Sequence, residues 1–261
     1  MILPIFDPVI FSIGPLAVRW YSLAYILGIV FTYYVLKKSK ILDDKAMDSW
    51  LSWSIIGIIL GGRLGYVLFY NFAFYLQNPI EIFYIWRGGM SFHGGLFGAI
   101  ISMFLFAKKY KINFLELTDI LSIAAPIGLF FGRIANFINM ELYGRVTDSV
   151  FGVVFPLISY QKRHPSQLYE AFLEGILCFI ILNLLAKFTQ IKEKKGALSG
   201  LFLIIYASSR IFVEQFREPD QHIGFIFNYF TMGQLLSLPI LFLGLFVFCL
   251  VSLRSNHNSH L

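Results

Sequence analysis

The densest cluster of reactive side-chain types in this chain is Gly132-Arg133-Ile-Ala135-Asn136-Phe137-Ile-Asn139-Met-Glu141-Leu-Tyr143-Gly144. Arg133 and Asn136 stand three residues apart, so on a helix they face the same space. An arginine presents a planar fork of donors that holds phosphate or carboxylate at two points. Together with two asparagines and a glutamate at the end of an apolar stretch, it suits a polar pocket for an anionic headgroup better than a lipid-facing surface. A second group is Tyr206, Arg210 and Glu214, spaced i, i+4, i+8. That spacing puts all three on one helical face. Glu214 can hold the Arg210 guanidinium in place for a ligand; equally, the two can form a buried pair that only lowers the cost of an arginine there. His93 lies in Gly88-Gly89-Met-Ser91-Phe-His93-Gly94-Gly95, where glycines let backbone or substrate approach the ring. Arg63 follows Gly57, Gly61 and Gly62 and precedes Gly65. Glycines four residues apart let helices pack closely, so a structural role for this segment stands beside a functional one.

These groups must be positioned by elements that live in a bilayer. The 261 residues are 57% hydrophobic and only 14% charged, against roughly 25% charged in an ordinary soluble domain. With a mean hydropathy of +0.71, the chain has too little polar surface for a water-soluble body. Seven apolar stretches approach the ~20 residues that span a membrane: Leu16–Leu36, Trp50–Tyr70, Met90–Ala107, Leu117–Phe137, Leu168–Phe188, Leu198–Val213 and Thr231–Leu253. The expectation is an all-α, polytopic integral membrane protein of about seven transmembrane helices, forming one domain over residues 1–261. The segment 138–167 carries Pro156, Pro165, Glu141, Arg145, Asp148, Lys162 and Arg163 and reads as a small outer head between spans four and five. There is no repeat and no low-complexity tract.

Charge gives the orientation. Lys37, Lys38, Lys40, Lys45, Lys108, Lys109, Lys111, Lys187, Lys192, Lys194, Lys195 and Arg254 follow alternate spans. They mark the cytoplasmic side. An odd number of spans then places the N-terminus outside and the C-terminus inside. The net charge of +6 is therefore an orientation signal and not an affinity for nucleic acid. The remaining basic residues are almost all Arg (19, 63, 87, 133, 145, 163, 210 and 217, with Lys162), and they gather in the spans and on the outer side. Arginine within a bilayer costs ~2.5–3.5 kcal/mol or more, so several together imply pairing, a wet cavity or an anionic ligand. Cys178 and Cys249 lie in apolar runs and read as core residues. The first eighteen residues lack Lys and Arg and are broken by Pro4, Pro8 and Pro15, so no cleavable signal is expected.

On these residues the chain resembles the prolipoprotein diacylglyceryl transferases, whose signature Gly-Arg-x-Gly/Ala-Asn-Phe-hydrophobic-Asn-x-Glu-x-x-Gly is met at every fixed position from Gly132 to Gly144. The likeness extends to Trp20-Tyr21, Gly61-Gly62-Arg63-Leu-Gly65, Met90-Ser91-Phe-His93-Gly94-Gly95 and Arg163-His164-Pro165-Ser166-Gln167-Leu-Tyr169-Glu170. It ends with Arg210-x-x-x-Glu214-x-x-Arg217-x-Pro219-Asp220. The resemblance implies a bacterial inner-membrane enzyme of lipoprotein biosynthesis with its active site open to the outer side. Such enzymes move the sn-1,2-diacylglyceryl group of phosphatidylglycerol to the thiol of a prolipoprotein's lipobox cysteine. A thioether forms and glycerol 1-phosphate leaves.

That reaction implies roles for the residues above. A free thiol has a pKa near ~8.5, so it must lose a proton to attack. His93, whose type titrates near ~6.5, is the candidate base. Arg133 and Arg210 are the candidate clamps on the departing phosphate. Asn136, Tyr21, Glu141, Tyr206 and Glu214 are candidates for binding the headgroup or orienting the arginines. Asn139, Gly144 and Arg217 can be structural. No metal, nucleotide or redox cofactor is called for. Three other readings compete. A transporter or flippase of an anionic lipid or phosphate compound would also use intramembrane arginines, but usually shows internal repeats. A CDP-alcohol phosphatidyltransferase needs an Asp-rich metal motif, which Asp43-Asp44 and Asp48 do not supply. A structural scaffold leaves the convergence of Arg, His, Asn and Glu unexplained.

Overall fold

The computed structural model describes residues 1–14, 16–219, 224–226 and 229–258. Pro15 and Asp220, the last residue of the motif that begins at Arg210, lie outside them. The chain forms two compact units: Leu36–Leu117, and Met1–Val35 together with Thr118–Leu261.

The first unit holds α2 (Asp44–Phe69), the short α3 (Phe72–Gln77), two single 3-10 turns (Pro79–Phe83 and Ile85–Arg87) and α4 (Phe92–Lys109). Asp43 caps α2 by accepting from the Ala46 N–H at 2.7 Å, and Ser91 caps α4 by accepting from Gly94 at 3.2 Å. Short polar side chains at these positions satisfy backbone donors that the first turn of a helix leaves unpaired. The glycine run of α2 does what its spacing suggested. A Cβ at Gly61 would come 2.6 Å from the Gly98 Cα, and one at Gly65 would come 2.7 Å from the Gly94 Cα. Backbone therefore packs on backbone, as small residues allow between membrane helices. Outward, Leu60, Leu64 and Leu68 are exposed, a face that suits lipid.

The second unit begins with a two-stranded antiparallel hairpin, β1 (Val9–Ile13) and β2 (Leu16–Arg19), leading into α1 (Trp20–Ser39). It continues with α5 (Phe114–Ile138), the hairpin β3 (Val153–Phe155) and β4 (Ser159–Arg163), and α6 (Ser166–Glu170). A π-helical stretch, Ala171–Leu177, joins α6 to α7 (Cys178–Phe188), which α8 (Ala197–Val213) and α9 (Met232–Asn258) follow. Each of the seven apolar stretches is helical. Four helices, Asp44–Phe69, Phe114–Ile138, Ser166–Phe188 and Met232–Leu253, are long and apolar enough to cross a bilayer. The protein is thus a helical membrane protein.

Three expectations change. The all-α reading lacked the two hairpins. Val9–Ile13 is rich in residues that favour strands, and Gly14 turns at φ +58°; that short segment was hidden inside an apolar prolongation of the first stretch. The helix of the first stretch accordingly starts at Trp20, not Leu16. Cys178 is buried as expected, in a cluster with Leu182, Ala186 and Leu198, but Cys249 is exposed on α9. Lipid, not protein, is the apolar surrounding that its position suits.

Candidate functional site

Helix α5 delivers the signature. Its last turn carries Arg133 and Asn136 and then stops abruptly. Met140 takes the left-handed conformation at φ +56°. The Met140 N–H donates to Phe137 O at 3.1 Å, and Glu141 N–H donates to Asn136 O at 2.9 Å. This pair of bonds is the Schellman ending, usually built on glycine. Here a methionine bears the ~1–2 kcal/mol cost of the left-handed form, and its side chain is buried with Leu3, Val153 and Phe155. The turn swings Glu141 back over the helix end. Tyr21 of α1 donates its hydroxyl to Glu141 Oε2 at 2.5 Å, and Asn136 Nδ2 donates to the same Tyr21 oxygen. Tyr21, Asn136 and Glu141, named from sequence, thus form one polar cluster.

Behind that cluster lies an ion network. Arg133 Nε is 3.2 Å from Glu170 Oε2, and Nε and Nη2 donate to Glu174 Oε2 at 3.2 and 3.0 Å. Arg210 pairs with Glu170 Oε1 and with Glu214 Oε1. Arg217 reaches Glu170 Oε1 at 3.5 Å. Glu170 and Glu174 are both fully buried. Three guanidiniums and three carboxylates therefore balance one another. Tyr206 stands partly buried on α8, one turn before Arg210. Burying one such charge alone is prohibitive, whereas a network that shares bonds is tolerable.

Glu170 and Glu174 had no role in the sequence reading, although a signal was there. Two acids four residues apart inside an otherwise apolar span are expensive and ask for partners. The π-helical stretch starts right after Glu170 and contains Glu174; such turns often occur at functional sites. At its centre Gly175 lets the helix close on α5, since a Cβ there would sit 2.7 Å from the Phe130 Cβ. Arg217 is a member of the network rather than a remote structural residue. Gly144 is structural: its backbone is wedged so that a Cβ would lie 2.6 Å from Phe216 O and 2.7 Å from the His164 Cβ. The Asn139 Oδ1 is buried without a hydrogen-bond partner.

In the other unit, Arg63 is resolved in favour of structure. Its donors go to the carbonyls of Glu81 at 2.5 Å, Ile82 at 2.8 Å, Gly88 at 2.6 Å and Gly89 at 3.1 Å. The guanidinium carbon also sits 5.1 Å from the centre of the Tyr75 ring. His93 is exposed on the first turn of α4. It lies on an open apolar groove of about 1210 Å³ along α2 and α4, lined among others by Leu60, Leu64, Phe97 and Ile101.

Fold and site define a membrane-embedded helical protein with an arginine–carboxylate network at the C-terminal end of α5. The chain belongs to the prolipoprotein diacylglyceryl transferase family, whose profile matches residues 8–250. It is 53% identical to the phosphatidylglycerol–prolipoprotein diacylglyceryl transferase of Rickettsia bellii (strain OSU 85-389), over 98% of this chain and 99% of that one. The enzyme of the same name from Rickettsia typhi is 53% identical over 95% of this chain and 98% of its own. That of Ehrlichia ruminantium (strain Welgevonden) is 51% identical over 97% and 98%.

Proposed function

We infer that this chain transfers the sn-1,2-diacylglyceryl group of phosphatidylglycerol to the lipobox cysteine of a prolipoprotein. The observation that carries the reading is the complete Gly132–Gly144 signature ending in a turn that joins Tyr21, Asn136 and Glu141, beside relatives that bear this activity in their names over nearly the whole chain. In the reaction the thiol loses its proton to His93. The sulfur forms a bond to the glyceryl carbon, the carbon–oxygen bond to phosphate breaks, and the electron pair leaves with glycerol 1-phosphate.

Arg133 and Arg210 hold the phosphate and stabilise the charge that grows on it. Both guanidiniums are already oriented by carboxylates, so little reorganisation is needed when the anion arrives. Tyr21, Asn136 and Glu141 orient the headgroup, while Tyr206 and Glu214 support the arginines. Seven apolar stretches support seven spans, and lysines at the ends of α1, α4 and α7 support a chain that starts outside and ends inside. The β3–β4 hairpin then belongs to an outer head, and the site opens outward in the bacterial inner membrane.

Purified protein given phosphatidylglycerol and a lipobox peptide is expected to yield a diacylglyceryl thioether, read by mass. Lipid movement across proteoliposomes with no thioether would replace this reading with transport. For His93, the His93→Gln variant regains rate as pH rises toward the thiol pKa; an unchanged pH–rate profile assigns the proton to another acceptor.

A further inference from the structure

The Arg210 pair is held from a segment that carries no residue of the signature. Glu214 Oε1 faces Arg210, and Glu214 Oε2 accepts a 2.7 Å hydrogen bond from the Thr231 hydroxyl. Glu214 and Thr231 are each 3% exposed, so no solvent competes for that bond. Thr231 is itself fixed. Its hydroxyl accepts from the Gln234 N–H at 3.2 Å, and its own N–H donates to Gln234 Oε1 at 3.1 Å. This is a reciprocal capping box with glutamine at its third position, and it opens α9. The N-terminal end of α9 also bears the positive end of the helix dipole, which favours a carboxylate beside it.

Between Thr231 and Gln234 stands Gly233. A Cβ there would lie 2.6 Å from the Glu214 Cδ and 3.0 Å from Arg210 Nη2, so only glycine leaves room for the ion pair. At the other end of the helix pair, α8 and α9 are locked by a second close approach. A Cβ at Gly200 would be 3.0 Å from the Phe248 Cβ, and one at Gly244 would be 2.9 Å from Gly200 O. The first turn of α9 therefore cannot drift from α8 without breaking this seam.

We propose that Thr231 and Gly233 are positioning residues for Arg210. Thr231 holds one oxygen of Glu214 so that the other is presented to the guanidinium, and Gly233 provides the space in which that pair sits. The proposal deepens the phosphate-clamp reading and rests on it. Both act through Glu214 and Arg210.

The test uses the full-length enzyme with phosphatidylglycerol and a lipobox peptide. Thr231→Val keeps shape and removes the donor, so kcat falls about tenfold or more, as loss of a hydrogen bond to a charged group predicts. The KM for the lipid changes less; loss of the cap and of the bond also lowers the thermal midpoint, so kcat is compared per folded molecule below the midpoint. Thr231→Ser restores most of kcat. In a Glu214→Gln background, Thr231→Val costs little more, because its partner is already altered. Gly233→Ala lowers kcat, but not further when Glu214 is also truncated to Ala. Full activity in Thr231→Val, equal losses in the Val and Ser variants, or a Thr231→Val penalty that adds in full to that of Glu214→Gln would each overturn the proposal. Undiminished activity in Arg210→Gln would instead remove the clamp reading beneath it.

Discussion

Two arginines in this protein, Arg63 buried and Arg133 partly so, are satisfied in opposite ways. Arg63 in the Leu36–Leu117 unit is bound by main-chain carbonyls of one loop, from Glu81 to Gly89. Arg133 in the other unit is bound by the side-chain carboxylates of Glu170 and Glu174. The difference decides what each can do. Carbonyls of a folded loop cannot leave without unfolding it, so Arg63 is committed to holding that loop in place. Carboxylates hold a guanidinium by charge, in the same bidentate manner as a phosphate. Under the clamp proposed for Arg133, an arriving phosphate meets a partner whose geometry is already set for an anion. Side-chain type alone did not separate the two; the nature of the acceptor does.

The sharpest way to break this contrast is to exchange the two arginines one at a time. Arg133→Gln is expected to lower thioether formation by about 10²–10³-fold, the scale of losing one preorganised donor at a developing charge. Arg133→Lys recovers part of it, since the charge returns without the fork. Unaltered turnover in either would take Arg133 out of the chemistry. Arg63→Gln is expected to act on stability, by about 1–3 kcal/mol, because the partly buried carbonyls of one loop lose a charged donor. The measurement is the thermal midpoint in detergent, with kcat per folded molecule holding near the parent. A variant that keeps its midpoint and loses kcat would put Arg63 in the site after all.

Gly144→Ala comes next. The added methyl must displace Phe216 O or His164, at a cost of about 1–3 kcal/mol for overpacking. A fully stable Ala variant would show that the wedge is looser than its distances.

The smallest effect concerns His164, outside the spans. Burial holds its pKa below the ordinary histidine value. The folded state thus binds fewer protons than the unfolded one. This contribution to stability is present above the unfolded pKa of ~6.5 and is lost as pH falls through the folded value. The thermal midpoint of the parent is expected to fall between pH 7.5 and lower pH by more than that of His164→Gln. Equal falls would place the pH sensitivity elsewhere.

Much of this was legible in residue types and spacing. The bilayer followed from composition, since 14% charge cannot cover a soluble body, and the long helices followed from runs of apolar residues that need satisfied backbones. Close packing of α2 was one of two readings of its glycines four apart, and α4 as the partner came from the structure. The signature named Arg133, Asn136 and Glu141, and one-face spacing paired Arg210 with Glu214. Tertiary structure decided the rest, because the partners come from distant positions whose local sequence looks ordinary. Glu174 sits in an apolar span, and Thr231 reads only as the first residue of an apolar stretch. Arg63 and Arg133 look alike as letters. Only folding shows whether a guanidinium meets carbonyls of its own loop or carboxylates from another helix. A chain records which groups it has and their local periodicity, but the acceptor that satisfies a buried charge is chosen by packing between elements far apart in sequence.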